Sequence, residues 1–169
     1  MHIPSHAIQI TDVQPADIPE VVGFVMQARK AMFPMLDPAA LPDDLRHFQR
    51  TYLESEGGRF FIARLAGKLI GAVGYLPYDG RFAHLHFGAR HVVEVVRLFV
   101  DPGVRRLGLA ARLVALLKAA ALSERVKVLY LHTHPFLPGA IAFWQRQGFD
   151  IVNTEDDPVW QTTHMQCLL

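Results

Sequence analysis

A chain of 169 residues, 51% of them apolar, is long enough for one domain (1–169) with a sizeable core and too apolar for a disordered segment. Its 17 Lys and Arg against 16 Asp and Glu leave a net charge of +1, which speaks against the basic surface of a nucleic-acid binder. The single cysteine, Cys167, excludes an intrachain disulfide scaffold, fits a reducing cytoplasm, and reads as a small buried residue of a terminal strand.

The first residues, Met1 to His6, carry no signal-peptide pattern. Ala7–Val13 alternates and predicts a strand. Gln14-Pro15 opens a helix that runs to about Met32, with Ile18, Val21, Val22, Val25 and Met26 on one side. Pro34, Pro38 and Pro42 break the chain. Asp43–Glu54 reads as a second helix, closed by Gly57-Gly58. Arg59–Leu65 and Lys68–Tyr78 are strands joined by Ala66-Gly67, a hairpin. Asp79-Gly80 starts a loop that carries His84, His86 and His91. Val92–Val100 is nearly all apolar, as expected of a strand buried on both faces. Leu107–Leu122 is a helix with few polar positions, expected to lie across a sheet. Arg112 and Lys118 interrupt it, so no apolar run reaches membrane-spanning length. Val126–Thr133 is a strand, Ala140–Gln147 a short helix stopped by Gly148, and Phe149–Thr154 and Gln161–Leu168 are two closing strands. Hairpins first and a β-α-β-α-β run afterwards predict an α/β mixed sheet flanked by helices.

The most informative stretch joins the Val92–Val100 strand to the next helix through Asp101-Pro-Gly and a basic loop, Arg105-x-x-Gly108-x-Ala110. The first backbone N–H groups of a helix have no intrahelical partner and sit at the positive end of its dipole, so they hold an anion such as a pyrophosphate. Gly108 and Ala110 allow close approach to the backbone, and Arg105 and Arg106 add charge and paired donors. No Gly-x-x-x-x-Gly-Lys-Ser/Thr loop and no Gly-x-Gly-x-x-Gly after an N-terminal strand competes with this reading.

That loop resembles the acetyl-CoA pyrophosphate loop of the GCN5-related N-acetyltransferase (GNAT) superfamily. Ala140-Ile-Ala-Phe-Trp-Gln-Arg-Gln-Gly-Phe149 is similar to the same family's Ala-x-x-Phe-Tyr-x-x-x-Gly-Phe signature. The resemblance covers essentially the whole chain. It implies the acyl-CoA N-acyltransferase fold: a central twisted, largely antiparallel mixed sheet of about seven strands, with a splayed central pair and about four flanking helices. It also implies direct acetyl transfer from acetyl-CoA to a primary amine of a small molecule, amino acid or peptide. By this resemblance Leu98, Phe99 and Val100 face pantetheine and the thioester. Arg105 adds charge, and Arg106, Leu107, Gly108, Leu109, Ala110 and Ala111 match the loop amides on the pyrophosphate.

Glu94 interrupts the apolar strand. A buried carboxylate is costly unless paired or wetted, and desolvation of such a group favours a general-base role. The position also resembles one where family members place a catalytic Glu. The competing reading is a salt bridge with Arg97 or another cation. Trp144 replaces the family tyrosine; an indole N–H donates a hydrogen bond but does not transfer a proton near neutral pH. His134 or Tyr130 is then the candidate acid, or the thiolate leaves unassisted or through water. The pairs His84-x-His86 and His132-x-His134, with His91, match no common zinc spacing, so no metal is expected. The aromatics Phe24, Phe33, Tyr52, Tyr75, Tyr78, Phe82 and Phe87 read mostly as core. A monomer or homodimer without nucleic-acid or membrane partners is expected. An acyl-CoA-binding sensor with weakened catalysis is the alternative that Trp144 keeps open.

Overall fold

In the computed structural model, which describes residues 7–169, the Val92–Val100 strand occupies the middle of a seven-stranded sheet. Residues 1–6, read above as lacking a signal-peptide pattern, lie outside the described residues. The strands are β1 (Ile8–Asp12), β2 (Arg59–Leu65), β3 (Lys68–Pro77), β4 (Val92–Val100), β5 (Val128–Thr133), β6 (Asp150–Thr154) and β7 (Thr163–Leu168), in the order β1-β2-β3-β4-β5-β7-β6. β4 and β5 pair in parallel, whereas β1–β2, β2–β3, β5–β7 and β6–β7 are antiparallel. The helices are α1 (Ile18–Met32), α2 (Asp43–Arg46), α3 (Leu109–Ser123) and α4 (Ala140–Arg146). This is the mixed, flanked sheet expected of the acyl-CoA N-acyltransferase fold. No helix of the described residues is long and apolar enough to cross a membrane.

The chain divides into two compact units, Met1–Leu76 with Val96–Leu117, and Pro77–Val95 with Lys118–Leu169. In the first, Ala66 and Gly67 take φ of 49° and 79° and close β2 onto β3 as a two-residue hairpin turn. Val21 and Val25 of α1 pack with Leu45, Phe48, Tyr52, Phe60 and Ile62. Phe48, Tyr52 and Phe60 form a three-ring cluster with centroids 4.8–4.9 Å apart. The uninterrupted helix expected over Asp43–Glu54 is broken. It ends at Arg46, His47 leaves helical geometry, and Gln49–Glu54 forms a π-helical turn. The cause is tertiary. Eight residues of straight α-helix would set Asp44 and Tyr52 ~12 Å apart along the axis; the break lets the Tyr52 hydroxyl donate to Asp44 Oδ2 at 2.7 Å. Gly58 then passes so close that a Cβ there would sit 2.1 Å from the Thr51 carbonyl oxygen.

α3 starts two residues later than expected because Arg106 and Gly108 both have positive φ. Leu109 and Leu113 lie over Gly71 of β3, where a Cβ would be 3.1–3.2 Å from their methyl groups. This close seat fixes the start of α3. The helix is not buried all round: Leu109, Leu113 and Leu117 are buried, whereas Leu116 and Leu122 are exposed.

In the second unit β5 is flanked by the first residues of β4 and by β7. Phe87, Val128 and Tyr130 form its core, with Tyr78, Phe82, Leu85 and Val92 against them. Trp144 of α4 packs edge-on against Phe149, and the Lys118 ammonium donates to the Gln147 carbonyl beneath that turn. Cys167 is buried on β7 and is a free thiol, as its position in a terminal strand predicted.

Candidate active site

The loop between β4 and α3 is built by short backbone devices. Asp101 Oδ1 accepts from Gly103 N at 2.8 Å and caps a 3-10 turn over Pro102–Val104. Buried Val104 anchors that turn, and Arg105 leaves it in an extended conformation. Arg106 and Gly108 then adopt φ of 72° and 73°. The first α-helical bond of this segment runs from Arg112 N to Gly108 O at 3.0 Å, so the amides of Leu109, Ala110 and Ala111 precede the ladder. A Cβ on Gly108 would meet no atom within 4 Å, so there is open space over its backbone. Arg105, Arg106 and Leu107 are exposed around it. The Arg112 guanidinium reaches the Ile8 carbonyl at 3.4 Å.

Upstream on β4, Leu98 and Val100 are half-buried and Phe99 is buried. Arg97 has φ of 58°, a left-handed backbone that costs a non-glycine residue ~1–2 kcal/mol. Its side chain holds Asp44 with two bonds, Nη2 to Oδ1 at 2.7 Å and Nε to Oδ2 at 3.0 Å. Burial pushes the Asp44 carboxyl up, but the hydrogen bonds and charge of Arg97 outweigh it and leave the pKa below the usual carboxylate value. Burial, then the Asp44 charge, raises the Tyr52 phenol well above its usual value.

Arg97 is therefore not the partner of Glu94. That partner is Arg81, from the loop after Asp79-Gly80. Its Nη1 and Nη2 donate to Glu94 Oε1 and Oε2 at 2.7 and 2.8 Å. The guanidinium also bonds Asp79 at 3.0 Å and lies 4.6 Å from the Phe82 ring centroid. Its hydrogen bonds to Glu94 raise the Arg81 pKa. Glu94 is thus a buried carboxylate held on both oxygens, the cation-paired alternative, with Arg81 rather than Arg97 as the cation.

β5 places Tyr130 in register with Glu94, and His132 follows two residues on. His132 Nδ1 is buried, 3.5 Å from Glu94 Oε2, and makes no hydrogen bond. Burial, then the Arg81 charge, lowers the His132 pKa to about 4, so the ring is neutral at pH 7. The Tyr130 hydroxyl lies 2.6 Å from His164 Nδ1, and His164 Nε2 lies 2.7 Å from Glu155 Oε2. Burial, then the Glu94 charge, raises the Tyr130 pKa. Tyr78, Phe82 and Phe87 surround Tyr130, while Tyr52 packs in the core of the first unit and Tyr75 is buried.

Two expected site residues are engaged elsewhere, although the His134 ring lies 6.1 Å from that of His132. His134 lies 3.1 Å through Nδ1 from the Trp160 carbonyl and stacks on Phe136 at 5.1 Å, a loop-holding position. Trp144 is a packing residue between Phe143 and Phe149, each 5.1 Å away. The grouping of Arg81, His164 and Glu155 with Glu94 and Tyr130 was not foreseen. Arg81 sits in a loop without a motif, His164 meets Tyr130 through the β5–β7 pairing, and Glu155, after β6, joins through its bond to His164.

The GNAT family model, described as an acetyltransferase family, matches residues 22–149, which include both the loop and the Trp144 helix. The chain belongs to the acetyltransferase (GNAT) family. It is 28% identical over 117 residues to human N-acetyltransferase 8, an alignment that covers 69% of this chain and 49% of that protein. The chain thus spans about half the length of this curated relative. A GNAT-family acetyltransferase of Staphylococcus aureus Mu50 shares the fold at a TM-score of 0.75 and 20% identity, covering 96% of this chain and 99% of that one. The PaiA N-acetyltransferase of Thermoplasma acidophilum, solved in complex with coenzyme A, superposes at a TM-score of 0.70 and 13% identity, covering 96% of this GNAT chain and 99% of its own.

Proposed function

We propose that this GNAT chain is one N-acetyltransferase domain over residues 1–169. It transfers acetyl directly from acetyl-CoA to a primary amine of a small molecule, amino acid or peptide. The observation that carries the reading is the start of α3. The amides of Leu109, Ala110 and Ala111 precede the helical ladder, and Gly108 leaves the space over them open. A pyrophosphate fits such a cradle: it meets unladdered N–H donors, the positive helix end, and the exposed Arg105 and Arg106. Acetyl-CoA, when bound, supplies the acyl group activated as a thioester.

Glu94 takes the amine proton, directly or through one water, so that the nitrogen lone pair is free to attack. Arg81 holds the buried carboxylate in place and, as the member of the pair on an exposed loop, gives way to an incoming ammonium. Neutral His132 keeps a second cation from competing for Glu94. The leaving thiolate takes its proton from water, because Trp144 is packed on Phe149 and His134 is engaged with the Trp160 carbonyl. Those same two positions favour a second reading, an acyl-CoA-binding sensor with weakened catalysis.

A thermal-shift series with acetyl-CoA, CoA and ATP tests the cradle. A ligand at 100 times its Kd stabilises the folded state by about 2.7 kcal/mol. A shift with both CoA species and none with ATP is expected, and no shift with any of the three removes the reading. Acetylation of any amine in a subsequent panel dismisses the sensor.

A further inference from the structure

We propose that His84, Glu155 and His164 form a binding site for one divalent transition-metal ion of the zinc type. The three come from different segments: the loop after β3, the residue after β6, and the start of β7. One ligand atom from each lies within 4.8 Å of the other two, and they are the one such group among the described residues. The inference does not depend on acetyl transfer.

The donor set is chemically selective. Two imidazole nitrogens and one carboxylate oxygen form a borderline set that suits zinc, nickel or cobalt, not calcium or magnesium. Zinc bonds of ~2.0–2.1 Å place tetrahedral ligands ~3.3 Å apart, so the widest gap must close by roughly 1.5 Å. The exposed His84 side chain, on a surface loop, supplies that movement. His164 is fully buried and supplies the fixed end. Its Nε2, now 2.7 Å from Glu155 Oε2, is the atom turned toward the group.

The surroundings already contain what a metal-bound histidine needs. A ligating imidazole has its other nitrogen held by a polar partner, which sets ring orientation and tautomer. Tyr130 does this for His164 at 2.6 Å, from a buried position on the neighbouring strand. On loading, the neutral His164 ring changes tautomer: the metal takes the place of the proton on Nε2, and the ring's one proton resides on Nδ1, which donates it to the Tyr130 oxygen. The shift in β6 register between Ile151 and Asn153 sets Asn153 opposite His164, and its Oδ1 lies 3.1 Å from His84 Nε2. An amide oxygen therefore stands at the open side. Arg81, the nearby cation, has its charge met by Glu94 and Asp79. Loading the site ties the His84 loop to β7 and, through the same loop, steadies Arg81 on Glu94.

The test is a calorimetric titration of ZnCl2 into the full chain, stripped with chelator and free of any histidine tag. One equivalent at micromolar affinity or tighter is expected, with no response to MgCl2. His84→Ala and Glu155→Gln each weaken binding by about tenfold or more, and Tyr130→Phe also weakens it. His86→Ala and His91→Ala, exposed neighbours outside the group, leave it unchanged. In the Co2+-loaded protein the intensity of the visible d–d bands reports low coordination, and it falls in His84→Ala. Absence of saturable zinc binding, or equal binding by His84→Ala and the unsubstituted protein, overturns the proposal.

Discussion

Gly108→Glu separates the folding role of this position from its proposed role in holding coenzyme A. Gly108 has φ of 73°, and a Cβ there meets no atom within 4 Å. The folding cost is therefore backbone strain alone, ~1–2 kcal/mol. For a chain of this size that lowers Tm by roughly 2–8 °C, and the variant stays folded. The effect on ligand is larger. A carboxylate ~4 Å from a phosphate charge, at an effective dielectric of about 20, is repelled by ~4 kcal/mol. That converts to about a thousandfold rise in Kd. Gly108→Ala carries the strain without the charge and without blocking much space, so its Kd should stay within about tenfold. Calorimetry with CoA on both variants, after circular dichroism has shown them folded, gives the comparison. A folded Gly108→Glu protein that binds CoA as tightly as Gly108→Ala refutes the pyrophosphate assignment.

Glu94→Gln should lower kcat at pH 7 by a factor of about 10² or more, with a smaller loss at pH 9, where more of the amine arrives already deprotonated; a pH-rate profile with equal loss throughout removes the base role. Asp44→Ala strands the Arg97 guanidinium. With side-chain exposures of only 20% and 16% for the pair, the expected loss is about 3–5 kcal/mol by urea unfolding. The Asp44→Ala/Arg97→Met double variant should lose less than the sum of the single changes, and strict additivity would show that the two groups do not interact. Asp44 has its pKa lowered in the folded state, so its contribution is complete above the unfolded value of 3.8 and fades as pH falls through the folded one. Stability measured from pH 6 to pH 2.5 should therefore fall less steeply in Asp44→Asn, and parallel curves would contradict the sign.

β2 and β4 were legible to the residue because each is a β-branched or aromatic run bounded by turn residues. The β4–α3 loop was legible because a few residue types at fixed spacing imply a backbone conformation, and Gly108 has the positive φ that spacing requires. The break in the second helix was not, because it depends on Tyr52 reaching back to Asp44, a bond eight residues long that periodicity does not encode. For the cation on Glu94, nearness in sequence named Arg97 and left another cation open. The positive φ at Arg97 turns that side chain to Asp44 instead, and Arg81 is 13 residues away in a loop with no pattern. Among the histidines, the spacing shows the pairs His84-x-His86 and His132-x-His134, whereas the fold groups His84 of a loop with Glu155 after β6 and His164 of β7, a proximity that no spacing encodes.

Both tryptophans, Trp144 and Trp160, belong to the unit made of Pro77–Val95 and Lys118–Leu169. Indole fluorescence is consequently a private signal of that half of the chain. Far-ultraviolet ellipticity, by contrast, draws on α1 in the other unit as well as on the sheet. Coincident unfolding curves from the two probes would mean that the halves melt as one cooperative body, and separated midpoints would give each half its own stability.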